Sequence, residues 1–283
     1  MREIAIITDT ASDLSIMDSK TYDVKMLHYQ IVYKDKTYKD QLEISSKEVI
    51  DGLEQEVPTT SLPTLEEIHQ TISRLIQQGY KDAIVITLSS GLSGCYNAIN
   101  MVKEEYRNEI NVQVYDSRTI SVPQRFLVIE AAKAADRGMP VEEIINMLDR
   151  IRENQTTLFI VDTLKYLISG GRIGHVSGTI GTLLNLKPII TIGDDGKYNT
   201  LAKVRGRNKA IHYFVDKIEE VLEEGSNYEI YFSHAAGEDI KDKIIEIIRE
   251  KRPDFKINGE AYISPVACVH CGPGYVGMVV QKI

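Results

Sequence analysis

Several short runs in this chain combine residue types and spacings that could do chemistry. Pro58-Thr59-Thr60-Ser61-Leu62-Pro63-Thr64 sets hydroxyls between two prolines, just ahead of a helical pattern. Ser89-Ser90-Gly91-Leu92-Ser93-Gly94-Cys95 follows an apolar run and precedes another helical pattern. Hydroxyls and free N–H groups at a helix N-terminus can cradle a phosphate or a carboxylate. The second run also nearly spells the nucleophile elbow G-x-S-x-G, with Cys95 in place of the last Gly. Ser93 is therefore open to three readings: an anion cradle, a nucleophile served by a His and an acid from elsewhere, or a simple helix cap. Gly170-Gly171-Arg172-Ile173-Gly174 sets one Arg in a flexible backbone, where its planar fork suits a carboxylate or phosphate. His270 could supply a second donor. A surface Arg and a structural His are the commoner fates of such residues.

Other motifs lose on context. Cys268-Val269-His270-Cys271 packs three possible metal ligands into four residues, but a structural zinc site needs a fourth, and no second C-x-x-C or H-x-x-H pair exists. The redox reading of C-x-x-C wants a helix start, which Gly272-Pro273-Gly274 spoils. Gly272-Pro273-Gly274-Tyr275-Val276-Gly277 has the letters of a dinucleotide fingerprint without the helix and second strand that must come after it. The P-loop, H-E-x-x-H and kinase motifs are absent. No metal and no cofactor is expected.

These runs need elements to position them. Glu3–Thr8, the continuous apolar run Ala83–Leu88, and Val112–Tyr115 read as strands, the second buried on both faces. Met26–Tyr33 and Thr37–Lys39 read as a hairpin around Lys34-Asp35-Lys36. Ser46–Gln55, Thr64–Gln78, a segment from the Ser/Gly turn through Tyr106, Phe126–Arg137 and Val141–Asn154 read as helices. Strand and helix alternate, which argues for a parallel sheet with crossover helices; an open sheet of that kind gathers ligands at the carboxyl ends of its strands. Beyond a boundary near residues 155–160 the pattern changes. Thr157–Val161 is a strand, and Lys187–Gly193 with Lys197–Arg205 is a hairpin around Asp194-Asp195-Gly196. Ala210–Glu224 and Ile240–Arg249 are helices, and Tyr228–Phe232, Lys256–Ile263 and Met278–Lys282 are strands.

Composition narrows the class. In 283 residues, 33 Lys+Arg against 41 Asp+Glu leave a charge of −8, which disfavours bulk binding to nucleic acid or anionic membrane. Within that acidic chain, Val204-Arg205-Gly206-Arg207-Asn208-Lys209 is a local basic cluster. Three sparse cysteines argue against a disulfide framework, and no apolar stretch has the length of a signal or spanning segment. A soluble cytoplasmic protein is expected, with at most transient membrane contact.

Taken in order, the segments resemble the DegV family, the bacterial fatty-acid-binding proteins that include the FakB subunits of fatty acid kinase. The matches are Thr8-Asp9-Thr10-Ala11-Ser12-Asp13-Leu14, Thr60-Ser61-Leu62-Pro63, Ser89 through Asn97, Asp116-Ser117, Leu164 through Ile173, Leu184-Asn185-Leu186-Lys187-Pro188, Val204 through Arg207, and His270-Cys271-Gly272-Pro273-Gly274. The resemblance implies an α/β protein of two domains, residues 1–157 with a mostly parallel sheet and crossover helices and residues 158–283 with a second α/β domain, holding one long-chain fatty acid in a tunnel between them. It implies a carboxylate site at Thr60 and Ser93 with their neighbours Ser61 and Gly94, together with Arg172 and His270. It further implies a carrier that makes no bonds itself and presents the acid to a separate ATP-binding kinase subunit for phospholipid synthesis, with Arg205 and then Arg207 as docking residues. A serine hydrolase or acyltransferase using Ser93 is the alternative. Two departures stand out: Ser121-Val122-Pro123-Gln124-Arg125 lacks the family's glycines, and Cys95 replaces its small Thr.

Overall fold

The computed structural model describes residues 3–179, 186–222 and 227–283. The chain forms two compact units that do not divide it at one point. One takes Met1–Ser45 and Pro58–Glu153; the other takes Ser46–Val57 and Asn154–Ile283. The early segment 46–57 thus groups with the later part of the chain.

In the first unit, β1 (Ile4–Asp9), β2 (Val24–Leu27), β6 (Asp82–Thr87) and β7 (Asn111–Asp116) form the expected parallel sheet, in the order β2-β1-β6-β7. The two central strands are buried on both faces. Ile4, Ile6, Ile84 and Ile86 pack with Leu127, Val128, Ala131, Ile144 and Leu148 of α5 (Val122–Asp136) and α6 (Val141–Glu153). The alternate residues Ala5, Ile7, Ala83 and Val85 are buried on the opposite face, as the period of two requires. There α4 (Cys95–Lys103) packs on β7, and α3 (Leu65–Gln77) on α4 and β2. Thr64 caps α3, its side-chain oxygen accepting the Glu67 N–H. A short α1 (Ile16–Thr21), capped by Ser15, joins β1 to β2. Helix α5 begins at Val122 rather than Phe126, because Pro123 suits a first turn whose N–H has no partner anyway.

The predicted hairpin is split. Residues 24–27 join the parallel sheet, while β3 (Gln30–Val32) pairs antiparallel with β4 (Thr37–Lys39). The other edge of β3 is taken by β5 (Thr59–Ser61), a strand inside the Pro-bounded run that carries no strand signal of its own. Prolines flanking so short a strand mask its local signal.

The second unit is a six-stranded mixed sheet of β8 (Gln155–Ile160), β9 (Leu186–Ile192), β10 (Tyr198–Arg205), β11 (Tyr228–Ala235), β12 (Gly259–Tyr262) and β13 (Tyr275–Lys282), in the order β10-β9-β8-β13-β11-β12. Only the β11–β12 pair is parallel. One face is covered by α8 (Arg207–Val221) and α9 (Glu238–Lys251), with Phe214, Ile218, Ile244 and Ile248 against Leu158, Ile189, Phe232 and Met278. On the other face Phe159 sits between the rings of Tyr198 and Tyr275. Here α2 (Ser46–Gly52) packs on α10 (Pro265–Cys271), which also meets α7 (Lys165–Ser169). Ser46 Oγ donates to the Ile263 carbonyl at 2.6 Å, which ties the early segment to this unit. Among the described residues, no helix is long and apolar enough to cross a membrane.

Candidate functional site

The carboxyl ends of β1, β6 and β7 build one polar cluster in the first unit. The turn after β6 carries Ser89–Gly94 and is held from both neighbouring strands. From β1, Asp9 accepts the Leu88 N–H at 2.7 Å; from β7, Asp116 accepts the Ser90 N–H at 3.0 Å and the Ser90 hydroxyl at 2.5 Å. Ser89 accepts the Gly91 N–H on its Oγ, and its carbonyl accepts the N–H groups of Leu92 and Ser93. Ser89 and Ser90 are thereby occupied in shaping the turn. That leaves Ser93, at the start of α4, with Gly94 as the cap residue. Ser93 Oγ accepts the Cys95 N–H at 3.2 Å and lies 2.7 Å from Tyr29 Oη.

Tyr29 immediately precedes β3, whose Ile31 is paired with Thr60 of β5. Leu62, just beyond Thr60, packs over the Gly94 backbone, where an added Cβ would lie 3.7 Å from its Cδ1. Strand β5, which carries Thr60, and the turn that carries Ser93 therefore share one neighbourhood. Thr60 is half-buried, Ser61 and Gly94 are exposed, and Ser93 is buried.

Beneath them lies a buried carboxyl group. Asp9 also accepts from Ala11 N at 3.1 Å and from Gln124 Nε2 at 3.2 Å. Burial pushes its pKa up to about 6, against the opposing pull of the hydrogen bonds from Leu88, Gln124 and Ala11. Burial, with the nearby Asp9 charge, also raises the Tyr29 phenol and the Cys95 thiol, which interact with one another. A raised thiol is an unreactive one. Gln124 comes from the segment that departs from the family pattern, and so does Ser121. Ser121 stands at φ 67°, ψ −142°, a conformation natural to glycine, and its hydroxyl donates to Asp13. Sequence reasoning missed Asp9, Tyr29 and Gln124 as site residues. Asp9 had a signal, since it closes an apolar strand at the ligand edge; Tyr29 and Gln124 had none.

In the second unit, His270 lies in the last turn of α10, and Arg172 follows α7. Their residues are brought together: a Cβ on Gly170 would fall 2.1 Å from His270 Nδ1, and Arg172 donates to the Gly170 carbonyl at 2.6 Å. Burial, reinforced by the Arg172 charge, pushes His270 down to about 4, so at neutral pH the imidazole is neutral and Arg172 carries the charge. Cys268 and Cys271 are buried on the same helix, one at its middle and one at its last residue, neither at its start. Among the described residues, no group of three or more His, Cys, Asp and Glu could hold a metal ion.

Arg205 ends β10 and Arg207 begins α8; both are exposed, and Arg207 is paired with Asp239. Lys187 of the Leu-Lys-Pro segment donates to Asp162 Oδ1 at 2.6 Å. Leu184 and Asn185, singled out by sequence, lie outside the described residues.

An open parallel sheet with the Ser89–Gly94 turn at the carboxyl ends of its strands is an α/β architecture of the kind that places ligands at that edge, and comparison with known proteins gives it a family. The model described as "Uncharacterised protein, DegV family" matches residues 3–282. A DegV domain-containing protein of Clostridium acetobutylicum is 40% identical over the full length of both chains. Among solved structures, a fatty acid binding DegV family protein from Streptococcus agalactiae superposes with TM-score 0.90 at 26% identity, covering 100% of each chain. A stearic acid-binding protein from Eubacterium ventriosum superposes with TM-score 0.87 at 25% identity, covering 99% of this chain and 98% of the other. This chain belongs to the DegV family.

Proposed function

We propose that this protein binds one long-chain fatty acid, and that it presents the carboxylate to a separate ATP-dependent fatty acid kinase subunit. The observation that carries the binding reading is the shared neighbourhood of Thr60 and Ser93, linked through Tyr29 and β3. A fatty acid is a charged head on an apolar tail. The tail gains about 0.8 kcal/mol for each methylene it buries, less the cost of ordering it. The head must not enter a dry site unpaired. Hydroxyls and backbone N–H groups can pair it without a full counter-charge; Arg172 is the proposed source of positive charge, and the neutral His270 beside it a proposed hydrogen-bond donor. Two solved relatives that this chain resembles over nearly their whole length bind fatty acid in one case and stearic acid in the other.

The bound partner of Ser93 disfavours the hydrolase alternative. It is a neutral phenol with a raised pKa, a poor base, while His28 bonds Glu67 and His69 bonds the Tyr106 phenol. The function is tested by native mass spectrometry of gently purified protein. One bound fatty acid per chain is expected. Thr60→Val combined with Ser93→Ala should weaken lipid binding about a hundredfold or more, the scale of two lost charge-assisted hydrogen bonds, with folding intact. Unchanged lipid content would refute the head-group assignment, and labelling of Ser93 by a fluorophosphonate probe would favour the hydrolase.

A further inference from the structure

We infer that Tyr29 is a positioning residue that aims the Ser93 hydroxyl proton at the ligand's carboxylate. The inference rests on the fatty-acid reading above and adds to it a residue that never needs to touch the ligand.

A serine hydroxyl has one proton to give and two lone pairs to fill. One lone pair of Ser93 Oγ receives the Cys95 N–H at 3.2 Å. Tyr29 Oη, only 2.7 Å away, fills the second when it donates. With both lone pairs occupied, the one remaining valence of Ser93 is its own proton, which must point away from both partners. A carboxylate offers acceptors only, so it is the ligand head that this arrangement can take. The phenol is suited to the role because it stays protonated: Tyr29 is 3% exposed, and burial with the nearby Asp9 charge holds its pKa well up.

When Ser93 donates to the ligand, Tyr29, Ser93 and the carboxylate form one hydrogen-bonded chain. Hydrogen bonds in such a chain polarise one another, which strengthens the one made to the charged head.

The test is a double-mutant cycle on delipidated protein, with affinities for stearate and for methyl stearate measured by displacement of a fluorescent fatty acid. Tyr29→Phe keeps the ring and its packing. It should weaken stearate about tenfold, the worth of a hydrogen bond feeding a charged group. Methyl stearate, whose ester carbonyl accepts only an uncharged hydrogen bond, should be weakened clearly less, about threefold or under. In a Ser93→Ala background, Tyr29→Phe should have no further effect on stearate. An equal loss for both ligands, an undiminished loss in the Ser93→Ala background, or no loss at all would each overturn the assignment. The underlying reading fails differently: it fails in the unsubstituted protein, by showing no stearate binding, and the Tyr29 role falls with it.

Discussion

Two titratable residues, one in each unit, are held away from their ordinary pKa values in opposite senses, and each has a consequence for pH dependence. Asp9 titrates near 6 in the folded protein and at 3.8 when freed. Between those values the native state holds a proton that the unfolded state has lost. The Asp9 contribution to stability is therefore fully present below about pH 4 and declines as pH rises through 6, by on the order of 3 kcal/mol. Urea unfolding of the parent and Asp9→Asn proteins across pH 4 to 7 should show the difference between them shifting against the parent as pH rises. A constant difference would remove the buried carboxyl as its source. His270 behaves the other way. Its folded pKa of about 4 lies below the ordinary 6.5, so its contribution is present above 6.5 and lost as pH falls toward 4. A carboxylate brought beside it would favour the imidazolium. NMR titration should find the His270 midpoint near 4 in delipidated protein and higher once stearate is loaded. An unmoved midpoint would exclude His270 from the head-group site.

At the scale of elements, the turns next to Arg172 and His270 hold two glycines, Gly170 and Gly272, whose places admit no side chain. Gly272 ends α10 at φ +70°, and a Cβ there would lie 2.1 Å from the Tyr166 ring of α7. Gly170, which ends α7, leaves the space that His270 fills. The two glycines lock α7 and α10 together at the position of Arg172 and His270. Gly272→Ala combines backbone strain with a clash, and we expect a loss of about 2–4 kcal/mol, read as a lowered denaturation midpoint. A loss below about 1 kcal/mol would mean that the turn relaxes and the lock is loose. Gly170→Ala should displace the imidazole instead, shifting its titration more than the melting temperature. The cysteines of α10 belong to this packing: Cys268 is fully buried and its thiol faces the Ile263 carbonyl at 3.5 Å.

At the scale of the whole molecule, a chain of charge −8 exposes Arg205 and Arg207 around the junction of β10 and α8. A basic residue in the first turn of a helix opposes the helix dipole, so Arg207 gains little there except through Asp239. Arg205 is the better candidate for engaging the proposed kinase subunit. Truncating an exposed charge at an interface chiefly slows association and flattens its salt dependence. Arg205→Ala should keep its bound fatty acid and lower the rate of ATP-dependent phosphorylation about three- to tenfold at subsaturating concentrations. A rate equal to the parent's would move the docking surface elsewhere; loss of the lipid would place Arg205 in the ligand site.

The longer strands and helices and their alternation, the parallel character of the first sheet, and the family were legible in the residues themselves; the short α1, β5, α7 and α10 were not. Apolar runs such as Ala83–Leu88, capping signals such as Thr64, and Gly or Pro at turns act over a few residues, so a local reading recovers them. The hydroxyl-rich runs around Thr60 and Ser93 were legible as groups of donors for the same reason, though not that Thr60 lies in a strand. Contacts set by strand order and register were not. The Tyr29–Ser93 bond spans 64 residues and the Asp9–Leu88 bond 79, and each exists only because distant segments are brought side by side in a particular alignment. The split of residues 24–33 between two sheets, the pairing of β5, and the assignment of Ser46–Val57 to the second unit arise likewise from competition among distant partners. Local sequence thus determined which groups are available for chemistry; tertiary packing decided which of them are buried, which share a proton, and hence their pKa values, because desolvation and hydrogen bonding depend on neighbours that the chain brings in from afar.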